Sequence, residues 1–129
     1  MNNNTGKRII LIADDDDDAR AMLTFIFEEE NWEVKQAKNG KEALEKVIQE
    51  QPDLLILDNR MPELAGSQVY QQLQVEGIKL PVVFATAYSD LEELAAELGI
   101  SFFISKPYDI PELLKTVESA YESSVAENE

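Results

Sequence analysis

Five short apolar runs punctuate the chain, and the stretch after each one carries apolar residues at helical spacing. Residues 8–13 (RIILIA) read as a buried strand. Ala19, Met22, Leu23 and Ile26 mark a helix face running to about Glu30. Residues 32–35 (WEVK) alternate as a half-buried edge strand does, and Asn39-Gly40 supplies a turn. Ala43, Leu44, Val47 and Ile48 predict a second amphipathic helix that stops before Pro52. Residues 54–57 (LLIL) form a continuous apolar strand ending at Asp58. A loop over 61–66 leads to a third helix on Val69, Tyr70 and Leu73. Residues 81–85 give a fourth strand that ends at Thr86, and Leu91, Leu94, Ala95 and Leu98 a fourth helix closing at Gly99. Residues 100–104 give the fifth strand, with Lys106-Pro107 after it. Leu113, Leu114, Val117 and Tyr121 define the last helix, whose first turn tolerates Pro111.

Strand and helix thus alternate five times, without internal low-complexity segments. Continuous Val/Ile/Leu runs suit strands buried on both faces, so the expected fold is an α/β doubly wound parallel sheet covered by helices on both sides. A chain of 129 residues is long enough to bury one real core. The expected organisation is one domain over 8–122 between loose tails at 1–7 and 123–129.

Composition removes whole classes of chemistry. With no cysteine and no histidine, disulfides, thiolate metal sites and imidazole bases are excluded, and the strong metal ligands left are carboxylates. Those favour hard cations such as magnesium or calcium. The net charge of -15, from 11 basic and 26 acidic residues, argues against direct nucleic-acid binding, which needs a basic footprint. No apolar run approaches membrane length, and the polar N-terminus is unlike a signal peptide. A soluble, cytoplasmic protein is expected.

In parallel α/β sheets, sites form beyond the carboxyl ends of the strands. Strand one delivers Asp14 and Asp15 there, strand three Asp58, strand four Thr86, and Lys106 follows strand five. A single polar residue at a strand end is ordinary; five at the same edge point to a site. Within the run Asp14-Asp15-Asp16-Asp17-Asp18, the last three fall at a helix start, where carboxylates cap backbone N–H groups and meet the positive end of the dipole. A calcium loop through Asp14, Asp16 and Asp18 is the rival reading. It fails because Ala19 stands where the turn glycine belongs and Phe25 where the bidentate glutamate belongs.

The segments "ILIADD" (10–15), "PDLLILDNRMPELAG" (52–66), "PVVFATAY" (81–88) and "FISKPYD" (103–109) together resemble the receiver domain of two-component response regulators. The resemblance spans about residues 8–121 and implies the CheY-like fold with strand order 2-1-3-4-5. It implies that Asp58 is the phosphoacceptor, with Asp14, Asp15, Asp58 and the backbone carbonyl of Arg60 holding a magnesium ion. Thr86 would hydrogen-bond the phosphoryl oxygens, Lys106 would pair with them, and Phe103 matches the aromatic switch position. The Lys106-Pro107 bond matches one that is cis in the family. The implied partners are a histidine kinase or histidine phosphotransfer protein as donor, and a downstream effector that reads the face formed by helix four, strand five and helix five. The chain would be a signalling switch that catalyses only its own magnesium-dependent phosphorylation and dephosphorylation.

Three positions depart from the common pattern. Arg60 is a bulky cation two residues after the acceptor; it either reaches the site or covers the rim in solvent. Ala65 replaces an acid before the loop glycine, and Tyr88 replaces a polar residue and would shield the pocket from water. Other classes fit less well. A haloacid dehalogenase phosphatase requires Asp where Arg60 stands, and a flavodoxin needs a Ser/Thr/Gly-rich loop after strand one. A degenerate receiver would have lost an essential group, and none is missing.

Overall fold

The computed structural model describes residues 6–127; the side chains of Tyr88, Ser89, Leu91, Glu92, Ala95 and Glu127 lie outside the described set. Five strands, β1 (Ile9–Ala13), β2 (Glu33–Ala37), β3 (Leu54–Asp58), β4 (Val82–Ala87) and β5 (Phe103–Lys106), pair in parallel in the order β2-β1-β3-β4-β5. Five helices alternate with them: α1 (Asp17–Glu29), α2 (Gly40–Glu50), α3 (Gly66–Val75), α4 (Tyr88–Leu98) and α5 (Ile110–Glu127). Every residue of β3, the central strand, is buried, which is why its sequence shows no polar alternation.

Two apolar layers sandwich the sheet. On one face Ile10, Ile12, Leu54 and Ile56 pack with Leu23 and Phe27 of α1 and Leu113 and Val117 of α5. On the other, Leu11, Leu55, Leu57 and Phe84 pack with Ala43 and Val47 of α2, Val69 and Leu73 of α3, and Leu94 of α4. Successive residues of each strand feed opposite layers, as the pleat requires. The register sets Ala13 opposite both Ala37 and Leu57, Asp58 opposite Ala85, and Thr86 opposite Ser105. All five carboxyl ends therefore finish along one edge.

The boundaries differ from the sequence pattern in four places. β2 begins after Trp32, whose indole is buried in the α1/α5 layer instead of belonging to an alternating strand. Asn39-Gly40 is not a free turn: Asn39 caps α2, and Gly40 is its first residue. β5 starts at Phe103 and includes Lys106, so Phe103 opens the strand instead of sitting near its end. Ile100 is buried in the second layer as a loop anchor after Gly99, which turns the chain at φ +66°. Finally, α5 continues to Glu127, so the loose tail expected from residue 123 is helical through 127. Of the expected N-terminal tail, residues 1–5 lie outside the described residues, as do 128–129. Helix faces also shift slightly: Met22 and Ile48, expected inward, are 41% and 58% exposed. Leu23 with Phe27, and Ala43 with Val47, define the buried stripes at i, i+4.

At the amino edge of the sheet, Arg8 joins β1, β2 and α5. Its guanidinium lies 3.9 Å from the Trp32 ring centroid and 4.8 Å from that of Tyr121. It donates in fork geometry to both carboxylate oxygens of Glu118, at 3.1 and 2.8 Å. No helix among the described residues is long and apolar enough to cross a membrane.

Candidate functional site

β1 ends at Ala13, and the backbone N–H of Asp14 still bonds the Ala37 carbonyl at 3.1 Å, so the first aspartate is held as a continuation of the strand. Asp14 is 1% exposed and Asp58, the last residue of β3, 5%. Asp15 is exposed. One carboxylate oxygen from each of Asp14, Asp15 and Asp58 falls within 4.8 Å of the others. Lys106, the last residue of β5, bridges two of them: its Nζ lies 3.0 Å from Asp14 Oδ2 and 3.4 Å from Asp58 Oδ2. The Lys106-Pro107 bond is cis.

Placing two carboxylates in a buried edge has an electrostatic consequence. Burial, and then the neighbouring charge of Asp14, raise the Asp58 pKa from 3.8 to about 6, against the opposing pull of Lys106. Burial alone would push Lys106 down, but its bond to Asp14 and the charge of Asp58 leave it raised. Lys106 is therefore an ammonium at neutral pH, and Asp58 an ionised but unusually basic carboxylate.

The rest of the aspartate run is separate from this cluster. Asp16 is the N-cap of α1, accepting from the N–H groups of Asp18 at 2.9 Å and Ala19 at 3.2 Å. Asp17 and Asp18 occupy the first helical turn, where negative charge is favoured. The Asp16 N–H donates to Asp14 Oδ1 at 2.9 Å, linking the run to the site.

Arg20 escaped the sequence reading and matters here. Its guanidinium donates to the Asp14 carbonyl at 2.7 Å, to Asp17 Oδ1 at 2.5 Å and to Gln36 Oε1 at 3.1 Å. It thus ties the acidic loop to β2 and neutralises part of its field. The available signal was a lone cation three residues after Asp17, at helical pairing distance.

Thr86, 1% exposed, ends the core of β4, and its hydroxyl has no partner among the described residues. A buried orphan hydroxyl is costly, and this one stands at the strand edge next to Asp58. Phe103 lies on the same sheet face one pleat back, because Ser105 pairs with Thr86 and Phe84 with Phe103. The ring of Phe103 is partly buried against the α2/α3/α4 layer.

The loop after β3 is folded tightly over the site. The Arg60 N–H donates to Asp58 Oδ1 at 3.3 Å, and Gly66 N–H to the Asn59 carbonyl at 2.9 Å. A Cβ on Gly66 would lie 2.5 Å from the Asp58 carbonyl oxygen, and one on Gly40 2.2 Å from that of Leu64. Both glycines are required by close backbone approach. The Arg60 side chain, 74% exposed, turns away to Asp90 of α4 at 3.0 Å. Ala65 is the side-chain-free N-cap of α3, compensated by Gln68, whose Oε1 accepts from the Ala65 N–H at 2.9 Å. The side chain of Tyr88 lies outside the described residues.

The donor set suits a small hard cation: three carboxylates close together, with neither thiolate nor imidazole in the chain. The structure therefore brings together Asp14, Asp15, Asp58 and Lys106, with Thr86 on the adjoining strand end, and places Phe103 behind them.

Comparison with known proteins agrees with this architecture. Residues 10–118 match the model of the response regulator receiver domain. The chain is 35% identical over 101 residues to sporulation initiation phosphotransferase F of Bacillus subtilis, covering 77% of this chain and 82% of that protein. It is 31% identical over 117 residues to the alkaline phosphatase synthesis transcriptional regulatory protein PhoP of the same species, covering 84% of this chain but 49% of that protein. The receiver domain of the Francisella response regulator 1452 superimposes with a TM-score of 0.83 at 28% identity, covering 92% of this chain and 99% of that one. The chain belongs to the response regulator receiver domain family of two-component signalling.

Proposed function

We propose that the chain accepts one phosphoryl group on Asp58 from a phosphohistidine of a partner histidine kinase or histidine phosphotransfer protein. None of the 129 residues is a histidine, so the donor imidazole is supplied from outside this sequence. The Asp58 carboxylate oxygen attacks phosphorus; the new O–P bond forms as the donor N–P bond breaks, and the imidazole leaves with the electron pair and takes up a proton. A carboxyl group held at about pKa 6 is ionised at neutral pH, yet more basic than an ordinary aspartate, which suits a nucleophile.

Asp14, Asp15, Asp58 and the Arg60 carbonyl would hold a magnesium ion, which when bound supplies positive charge against the repulsion between carboxylate and phosphoryl group. Lys106 supplies the protein's own cation, and the unpaired Thr86 hydroxyl is positioned to donate to a phosphoryl oxygen. A Thr86 side chain drawn that way vacates space on the face it shares with Phe103. The ring then moves inward, a shift between two packings that the α4–β5–α5 surface presents to an effector. The reading places the protein in the cytoplasm, free of direct nucleic-acid contact, as its net charge of -15 favours.

The observation that carries this reading is the convergence of three carboxylates, an ammonium and an orphan hydroxyl at one strand edge. Intact-mass analysis after treatment with a small acyl phosphate and magnesium tests it. Wild type should gain one phosphoryl group and Asp58→Asn none; equal labelling of the variant would overturn the assignment.

A further inference from the structure

Arg60 is a cation with a choice of partners. Its backbone N–H sits 3.3 Å from Asp58 Oδ1, so its Cα lies beside the acceptor carboxylate. An extended arginine side chain reaches about 7 Å from its Cα, which is ample to bring the guanidinium over Asp58. Instead the side chain spans to Asp90, in the first turn of α4, and donates there at 3.0 Å. That contact joins the loop after β3 to the start of the helix that follows Thr86 and β4.

Two features make the contact easy to exchange. The Arg60 side chain is 74% exposed and that of Asp90 27%, and a pair whose cation lies mostly in solvent is held weakly. Asp90 also sits at a helix N-terminus, whose exposed N–H groups stabilise a carboxylate without any help from Arg60. Losing the arginine therefore leaves Asp90 neither buried nor unsupported. A phosphoryl group on Asp58 offers the guanidinium a second partner with more charge and several acceptor oxygens.

We propose that Asp90 is a positioning residue that holds Arg60 off the acceptor, and that Arg60 exchanges Asp90 for the phosphoryl group when Asp58 is modified. The exchange releases the start of α4 and covers the open side of the acyl phosphate against attacking water. The device has two consequences. The strength of the Arg60–Asp90 contact sets the phosphoryl lifetime, and the first turn of α4 is tethered before phosphorylation and untethered after it. This inference rests on Asp58 being the acceptor.

The test is a double-mutant cycle read by phosphoryl lifetime, after loading with a small acyl phosphate and magnesium and then removing the donor. Asp90→Asn should lengthen the lifetime by about threefold to tenfold, the effect of one charge-assisted contact discounted for exposure. Arg60→Ala should shorten it, and Asp90→Asn should then have no effect in the Arg60→Ala background. Asp90→Glu should restore wild-type behaviour. A second reading, the Arg60 Nε–H resonance, should move on Asp90→Asn in the unmodified protein, and move again on phosphorylation of wild type. Independent effects of the two substitutions, or an Arg60 resonance indifferent to both changes, would overturn the exchange. Failure of wild type to take up any phosphoryl group would instead sink the acceptor assignment, so the two failures are distinguishable.

Discussion

At the amino edge of the sheet, Arg8 lies against two aromatic rings and forks onto Glu118. At the carboxyl edge, two buried carboxylates share one ammonium, with an exposed third carboxylate close by and a hydroxyl without a partner among the described residues. Both ends hold charge against an apolar core, yet only the first balances it. At the amino edge one cation meets one anion, and the unpaired Trp32 N–H carries no charge. At the carboxyl edge three carboxylates face one ammonium, and burial, then the charge of Asp14, raises the pKa of Asp58 against the pull of Lys106. The amino edge pairs its charges within the fold, whereas the carboxyl edge leaves carboxylates in excess.

Breaking the balanced end should cost most. Arg8→Ala removes both ring contacts, the fork and the packed stem, and should destabilise by about 2–3 kcal/mol with little pH dependence between 6 and 9. Chemical denaturation at two pH values checks this.

Supplying the missing charge at the other end comes next. Magnesium well above its dissociation constant should stabilise wild type by roughly 1–3 kcal/mol through mass action. Asp15→Asn, which removes the exposed carboxylate of the cluster, should blunt that gain with little change in chelator. Differential scanning fluorimetry of both proteins with each additive separates the two effects.

Thr86→Val sharpens the contrast further. Replacing a buried orphan hydroxyl with a methyl group of the same shape should stabilise the unmodified protein by about 1 kcal/mol. The effect expected at the capping segment is the smallest. Asp17→Asn loses only an exposed i,i+3 partner of Arg20 and should change stability by less than about 0.5 kcal/mol.

Much of this was legible in the chain because β1, β3 and β4 are continuous apolar runs whose first polar residue marks the carboxyl end. Asp14, Asp58 and Thr86 could be read that way, and Lys106 nearly so. What the pattern missed depends on tertiary proximity. Arg60 and Asp90 are 30 residues apart and Arg8 and Glu118 are 110 apart, and no local periodicity reports such pairs. Trp32 looked like a strand residue because aromatic and alternating neighbours favour strands; the demand of the α1/α5 layer for a large side chain overrode that preference. The expected break at residue 123 followed from the polar Ser-Ser pair, yet both serines are only partly exposed within α5.

The most direct test of the imbalance is thermal stability against pH in chelator, for wild type and Asp58→Asn. A carboxyl raised to about 6 in the folded protein binds more protons there than in the unfolded chain between its ordinary 3.8 and that value. Stability must therefore fall as pH rises through that window, and the cost is fully present above it. The shift corresponds to a loss on the order of 2–3 kcal/mol. Wild type should lose stability between pH 4 and 6.5 relative to Asp58→Asn, which should be the more stable protein at pH 7.5, and magnesium should narrow the gap. Parallel pH profiles for the two proteins, or a variant less stable than wild type at pH 7.5, would contradict the account.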